Sequence, residues 1–225
     1  MARTDVMRPS LQNGSPLRPS AGVTGHTGYV RHATDARPTG QWFLSSDGHR
    51  WWFDSGALSL DFAYTGAMGD NPAWETLHSP EDLGAWLDER FDEVDGTASD
   101  RELTDALALR AAIARTATAF SRGGDALADD VDIINLFAAT PDIPPVLAGG
   151  RRQAGRSRAR VGQTLSALAR EAVELFASEE RERIRECAAA DCGLVFYDES
   201  RSNNRRWCSM QRCGNRAKVR KHREK

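Results

Sequence analysis

The sequence predicts an α+β protein in two parts: a helix-rich N-terminal domain containing a short β-hairpin, then a small treble-clef-like module. Three observations predict this. Apolar residues recur at helical spacing behind recognisable start signals across residues 79–177, an aromatic run precedes them, and all four cysteines fall within the last thirty-nine residues. A chain of 225 residues can bury one sizeable core and still carry a small second module.

Residues 1–40 are rich in Gly, Pro, Ser, Thr and Arg and hold few large apolar residues, so a disordered tail is expected there. The stretch Gly22-Val23-Thr24-Gly25-His26-Thr27-Gly28 lacks the preceding strand, the following helix and the Lys of a phosphate loop. Order is expected from Gln41, with 41–178 forming the helix-rich domain. Trp51-Trp52-Phe53, a turn at Asp54-Ser55-Gly56 and the alternating run Leu58 to Phe62 predict a hairpin or paired strands. Its aromatics are assigned to the core rather than to an exposed stacking platform.

Four helices are expected next. The first starts at Ser79-Pro80, with Asp82 completing a cap and Leu83, Trp86, Leu87 and Val94 facing inward. Its acids, Glu81 to Asp95, are read as a solvated face rather than a metal site. The second begins at a Ser99 to Glu102 capping box and ends at Gly123-Gly124, carrying Arg110 beside its apolar stripe. Arg110 is expected to lay its stem on the core and pair with a carboxylate, or to grip an anionic ligand. Any pocket in this domain is expected among the hairpin aromatics, with Asp61 or Arg110 as its polar element. A third helix covers about 130–139, a loop bearing Arg151, Arg152, Arg156, Arg158 and Arg160 follows, and a fourth runs from about 158 to 177.

Residues 179–225 hold the chemistry. Cys187 and Cys192 form one pair, Cys208 and Cys213 another; four residues separate the members of each pair and fifteen separate the pairs. Two short-range thiol pairs joined by a loop supply the four soft ligands of a tetrahedral zinc ion. Disulfides are disfavoured, because the chain has no export signal and no other cysteine. Ile184 to Cys187 and Leu194 to Tyr197 read as hairpin arms, Gly193 as a tight turn, and Gly214 to about Arg223 as a helix opening beside Cys213. One structural zinc is expected, with Cys192→Ser unfolding this module while the helical domain stays folded.

Charge is divided unevenly. Arg201, Arg205, Arg206, Arg212, Arg216, Lys218, Arg220, Lys221, Arg223 and Lys225 stand against the single acid Glu224, a formal +9 that leaves −11 for the remainder. A basic module on an acidic body is the footprint of a polyanionic partner, and the first nine of these residues are the candidate nucleic-acid contacts. For Arg216 three placements are open: a base edge, a phosphate, or a structural pair with Asp198 or Glu199. Catalysis finds no support: there is no Gly-x-Ser-x-Gly elbow, His-Glu-x-x-His pair or P-loop, and His26, His32, His49, His78 and His222 lack ligand spacing. No apolar run approaches the roughly twenty residues of a membrane span, and a cytoplasmic protein is expected.

The segment Arg185 to Asp198, with Arg205-Arg206-Trp207-Cys208-Ser209 and Cys213-Gly214-Asn215-Arg216, resembles the CGNR zinc finger. Gly56-Ala57-Leu58-Ser59-Leu60-Asp61-Phe62-Ala63-Tyr64-Thr65 and Leu107-Ala108-Leu109-Arg110 resemble the ABATE domain that precedes it in a family of bacterial stress-induced transcription regulators. The chain departs from that pattern at Tyr64, where Asn is expected. The resemblance implies a regulator that binds DNA through the finger and its basic helix. RNA, or a protein partner such as RNA polymerase, remains an alternative.

Overall fold

The computed structural model describes residues 39–44, 48–66, 68, 74–91, 94, 97–143, 159–177 and 179–223. Readings of residues 1–38, of Asp92, Glu93 and Asp95, and of the basic cluster from Arg151 to Arg158 lie outside these.

Strands β1 (Gln41–Leu44) and β2 (Arg50–Phe53) pair antiparallel, with Trp42 opposite Trp52 and Phe43 opposite Trp51. Alternation sends Phe43 and Phe53 into the core and leaves Trp42, Leu44 and Trp52 exposed on the outer face. The sequence expectation is corrected twice here. Trp52 is a surface residue, and the partner of Trp51 to Phe53 is Gln41 to Leu44, because Leu58–Ala63 is helix α1. All six α1 residues are buried, Ser59 and Asp61 included, so the apolar alternation of Leu58 to Phe62 carries no information about which side is inside. Its N-terminus has no local side-chain cap; instead Glu171 accepts from the backbone N–H groups of Leu58 (3.3 Å) and Ser59 (2.5 Å).

The capped helices follow the sequence closely. Helix α2 (Pro80–Asp88) has Ser79 accepting from the Asp82 N–H and Pro at its first position. Helix α3 (Asp100–Ser121) opens on a complete capping box between Ser99 and Glu102. Helix α4 (Ala128–Ala138) and helix α5 (Val161–Phe176) complete the body, with Val161, Leu165, Leu168, Ala172 and Leu175 buried. Val94 lies past the end of α2, buried and bridged to Ala159.

Strands β3 (Ile184–Glu186) and β4 (Val195–Tyr197) form a second antiparallel ribbon, and a π-helical turn at Met210–Gly214 leads into α6 (Asn215–Arg223). Ile184, Leu194, Val195 and Phe196 are buried in the same apolar cluster as Phe53, Leu60 and Tyr64. The ribbon is thus a continuation of the body's core.

Candidate zinc centre

Cys187 and Cys192 flank the β3–β4 turn, where Gly193 adopts φ +66, a region that glycine enters without steric cost. Cys208 ends the following loop and Cys213 lies in the π-helical turn. The loop that joins the two pairs is held from within. The buried Asp198 carboxylate accepts from the N–H groups of Ser200 (2.9 Å) and Arg205 (2.7 Å). Burial pushes its pKa up, but hydrogen bonds from Ser200 and Arg205 outweigh that and hold it below the usual value. Arg183 donates to the carbonyls of Asp198 and Ser200.

The four Sγ atoms lie within 4.8 Å of one another, with Cys192 to Cys208 at 3.6 Å and Cys208 to Cys213 at 3.5 Å. Zinc–thiolate bonds of about 2.3 Å in a tetrahedron require sulfurs about 3.8 Å apart, so the donor set fits a closed four-thiolate site. With protons alone the cluster is in conflict. Hydrogen bonds from Cys192 and Cys208 favour the Cys187 thiolate, while the bond to Cys187 disfavours ionisation of Cys192. Bonds to Cys187 and Cys192 do the same to Cys208. A dication is the species that lets all four stay ionised.

Two groups next to the thiolates explain their sequence neighbours. A Cβ on Gly214 would come within 2.7 Å of the Met210 sulfur and 3.3 Å of the Trp207 ring. Arg216 donates to Cys213 Sγ (3.1 Å) and pairs with Asp191 (3.0 Å) across the hairpin turn. Its structural pair is with Asp191 rather than Asp198 or Glu199. Asp191 follows no spacing rule that links it to Arg216, which is why the sequence did not single it out.

The nine candidate nucleic-acid residues divide. Arg205 is directed inward, donating to the carbonyls of Asp54 (2.7 Å), Trp207 (3.2 Å) and Cys208 (2.7 Å), with its guanidinium 4.1 Å from the centre of the Phe196 ring. Arg212 lies 4.6 Å from the centre of the Trp51 ring. These two join the finger to the body, and Arg216 joins the last helix to a ligand thiolate, so each already has a structural contact. Arg201, Arg206, Lys218, Arg220, Lys221 and Arg223 are exposed, outside the ion pairs of the described residues.

Asp61 and Arg110 are likewise engaged by protein. Asp61 accepts from Gly40 N–H (2.5 Å) and Ser55 Oγ (2.6 Å), and burial pushes its pKa up to about 7. Arg110 grips Glu75 with both terminal nitrogens (2.7 and 2.8 Å) and donates to the Thr65 carbonyl (3.1 Å). Neither residue lines the open hollow beside α3 and α4 or the one between the hairpin and the finger loop. Sequence reasoning missed Tyr64: its buried hydroxyl accepts from Val195 N–H (2.7 Å) and donates to Val195 C=O (2.9 Å), clasping the edge of β4. Its departure from the family pattern was the signal.

Two family models match, in the order of the folded parts. The ABATE model, described as "putative stress-induced transcription regulator", covers residues 56–179, more than half of the chain, and the CGNR zinc finger model covers 183–225. The chain belongs to the ABATE family. No curated protein matches it. The CGNR motif therefore reads, in this family member, as the ligand Cys213, the closely packed Gly214, the first α-helical residue Asn215 and the thiolate-binding Arg216. No helix among the described residues is long and apolar enough to cross a membrane.

Proposed function

We propose that this chain is a bacterial, cytoplasmic transcription regulator, without catalytic activity, whose zinc-held module presents α6 to duplex DNA while the helical body senses a signal. The observation that carries this reading is the state of α6. None of its residues is buried, and Lys218, Arg220, Lys221 and Arg223 are exposed at the end of a turn anchored by Cys213 and Arg216. Helical spacing sets Arg220 and Arg223 along one side and Lys218 and Lys221 along the next, with Arg201 and Arg206 on the preceding loop as further phosphate contacts. Four thiolate ligands would close the shell of a zinc ion, which suits a structural role, and thiolates persist in a reducing compartment. The direct grip of Tyr64 and Ser55 on the finger supports a body that influences how the helix is presented.

Fluorescence anisotropy of the full-length, zinc-loaded chain with labelled duplex tests it. Affinity should fall with salt by about 0.9 log unit per contacted phosphate for each tenfold rise. Lys218→Ala with Arg220→Ala should lower that slope by roughly one per lost contact. Absence of duplex binding at low salt by folded, zinc-loaded protein would end this reading in favour of a protein partner, and preference for RNA duplex would redirect it.

A further inference from the structure

The outer face of the β1–β2 ribbon is not accounted for by the finger or by the core. Trp42 and Trp52 face each other across the strands, edge to face with ring centres 5.4 Å apart, yet remain 49% and 40% exposed. A cross-strand aromatic pair stabilises a ribbon only modestly, a small return for so much indole left in water. The Trp52 ring is also fixed in place. Gly40 lies flat on it, so closely that a Cβ there would sit 2.7 Å from the indole, and φ +103 at Gly40 allows the approach. One face of Trp52 is therefore covered by backbone, its neighbour Trp42 braces it, and the rest is presented outward.

Trp52 also forms one wall of the hollow, about 660 Å³, whose opposite wall is the finger loop with Arg206, Trp207 and Met210. Cations flank the aromatics at both ends: Arg50 lies 5.2 Å from the centre of the Trp42 ring and Arg206 5.3 Å from that of Trp207. The acid in the hollow, Asp54, has its carboxylate held by Thr39 Oγ (2.7 Å) and Gly56 N–H (3.0 Å). Preorganised indoles between guanidinium groups match a chain of flat aromatic bases joined by phosphates, since every base has a π-face and every linkage an anion. A duplex keeps its bases stacked inside and cannot offer them to such a surface.

We infer that the Trp42–Trp52 face and the adjoining hollow bind unpaired nucleobases of single-stranded nucleic acid. This goes beyond duplex binding by α6 and does not depend on it. The test titrates full-length zinc-loaded protein with a labelled oligothymidylate of about twelve nucleotides, its oligouridylate counterpart and a matched duplex. Wild type should bind the single strand, with quenching of tryptophan fluorescence. Trp52→Ala should weaken that binding about 5- to 150-fold, the equivalent of roughly 1–3 kcal/mol for a stacked base, while duplex affinity stays within about twofold. Trp52→Phe, which keeps the ring and the fold, should retain most of the single-strand affinity; comparison of the two strands shows whether DNA or RNA is preferred. No oligothymidylate or oligouridylate binding by wild type, unchanged affinity in Trp52→Ala, equal loss for single strand and duplex, or self-association through the tryptophans in sedimentation would each overturn the inference. Failure of the duplex reading looks different: duplex binding is lost and single-strand binding persists.

Discussion

Asp61 shows how one buried carboxyl can carry opposite tendencies. Ser55 and Gly40 favour its charged form, burial favours the neutral one, and burial prevails to give a value of about 7. An unfolded chain would release the same proton near pH 3.9, so between about pH 4 and 7 the folded state binds more protons. Stability from this group is therefore greatest on the acid side and falls as pH rises through the window, by up to about 1.4 kcal/mol per pH unit. Urea unfolding near pH 5 and near pH 7.5 should show that fall in wild type and a flatter profile in Asp61→Asn; equal slopes would show that Asp61 is ionised throughout. Glu75 and Asp198, held below their usual values, lose their contributions only at more acid pH, while burial raises Glu171 as it does Asp61, so Glu171 adds a fall of the same sign that Asp61→Asn leaves in place. The same residue shows what sequence conveys. The alternating run around Asp61 did not disclose its burial, and its bonds reach Ser55 and Gly40, positions that no periodic rule links.

Elements were legible where their signals are local. Ser79-Pro80 and the Ser99–Glu102 box fix α2 and α3 because caps act within one turn, and the paired cysteines announce their own cluster. Helix α1 was not legible, since its cap comes from Glu171 and its burial is uniform. The contact of the 54–56 turn with β4 was invisible for the same reason, and Gly56 is its sharpest point. Gly56 has φ +83 and a Cβ placed there would lie 2.3 Å from the Tyr197 carbonyl oxygen, whereas Gly48 has φ +80 with nothing within 4 Å. Alanine at Gly48 should cost only the left-handed backbone penalty of about 1–2 kcal/mol. Alanine at Gly56 adds a backbone clash that must open the Tyr197 N–H to Ser55 C=O bond (2.7 Å), so its loss in thermal melting should exceed that of Gly48→Ala by at least about 1 kcal/mol. Equal losses would mean that β4 stands off from the turn in solution.

At the scale of the molecule, the expectation of a finger that unfolds alone conflicts with where its side chains go. Cys187, Cys208 and Cys213 are buried in the cluster that also holds Phe53, Leu60 and Tyr64, and Phe196 is fully buried within it. Tyr64 clasps Val195, Arg205 bonds the Asp54 carbonyl, and Arg122 pairs with Glu186 at 2.9 Å, so backbone, core and surface all join the two parts. A structural zinc site in so small a module contributes on the order of 10 kcal/mol, comparable with the whole stability of an ordinary domain. Removing the zinc would then strip one wall from the body's core and leave the Tyr64 hydroxyl buried without its partner, a cost of about 1–3 kcal/mol in itself. Cys192→Ser should therefore lose the metal and also lower the melting temperature of the α3–α5 body, seen as a downshift of the helical circular-dichroism transition. Wild type should melt in one transition by helical signal and by tryptophan fluorescence alike. A Cys192→Ser protein that is free of zinc yet melts its helices at the wild-type temperature would show the finger to be an independent appendage, and any signal sensed by the body would then need another route to α6.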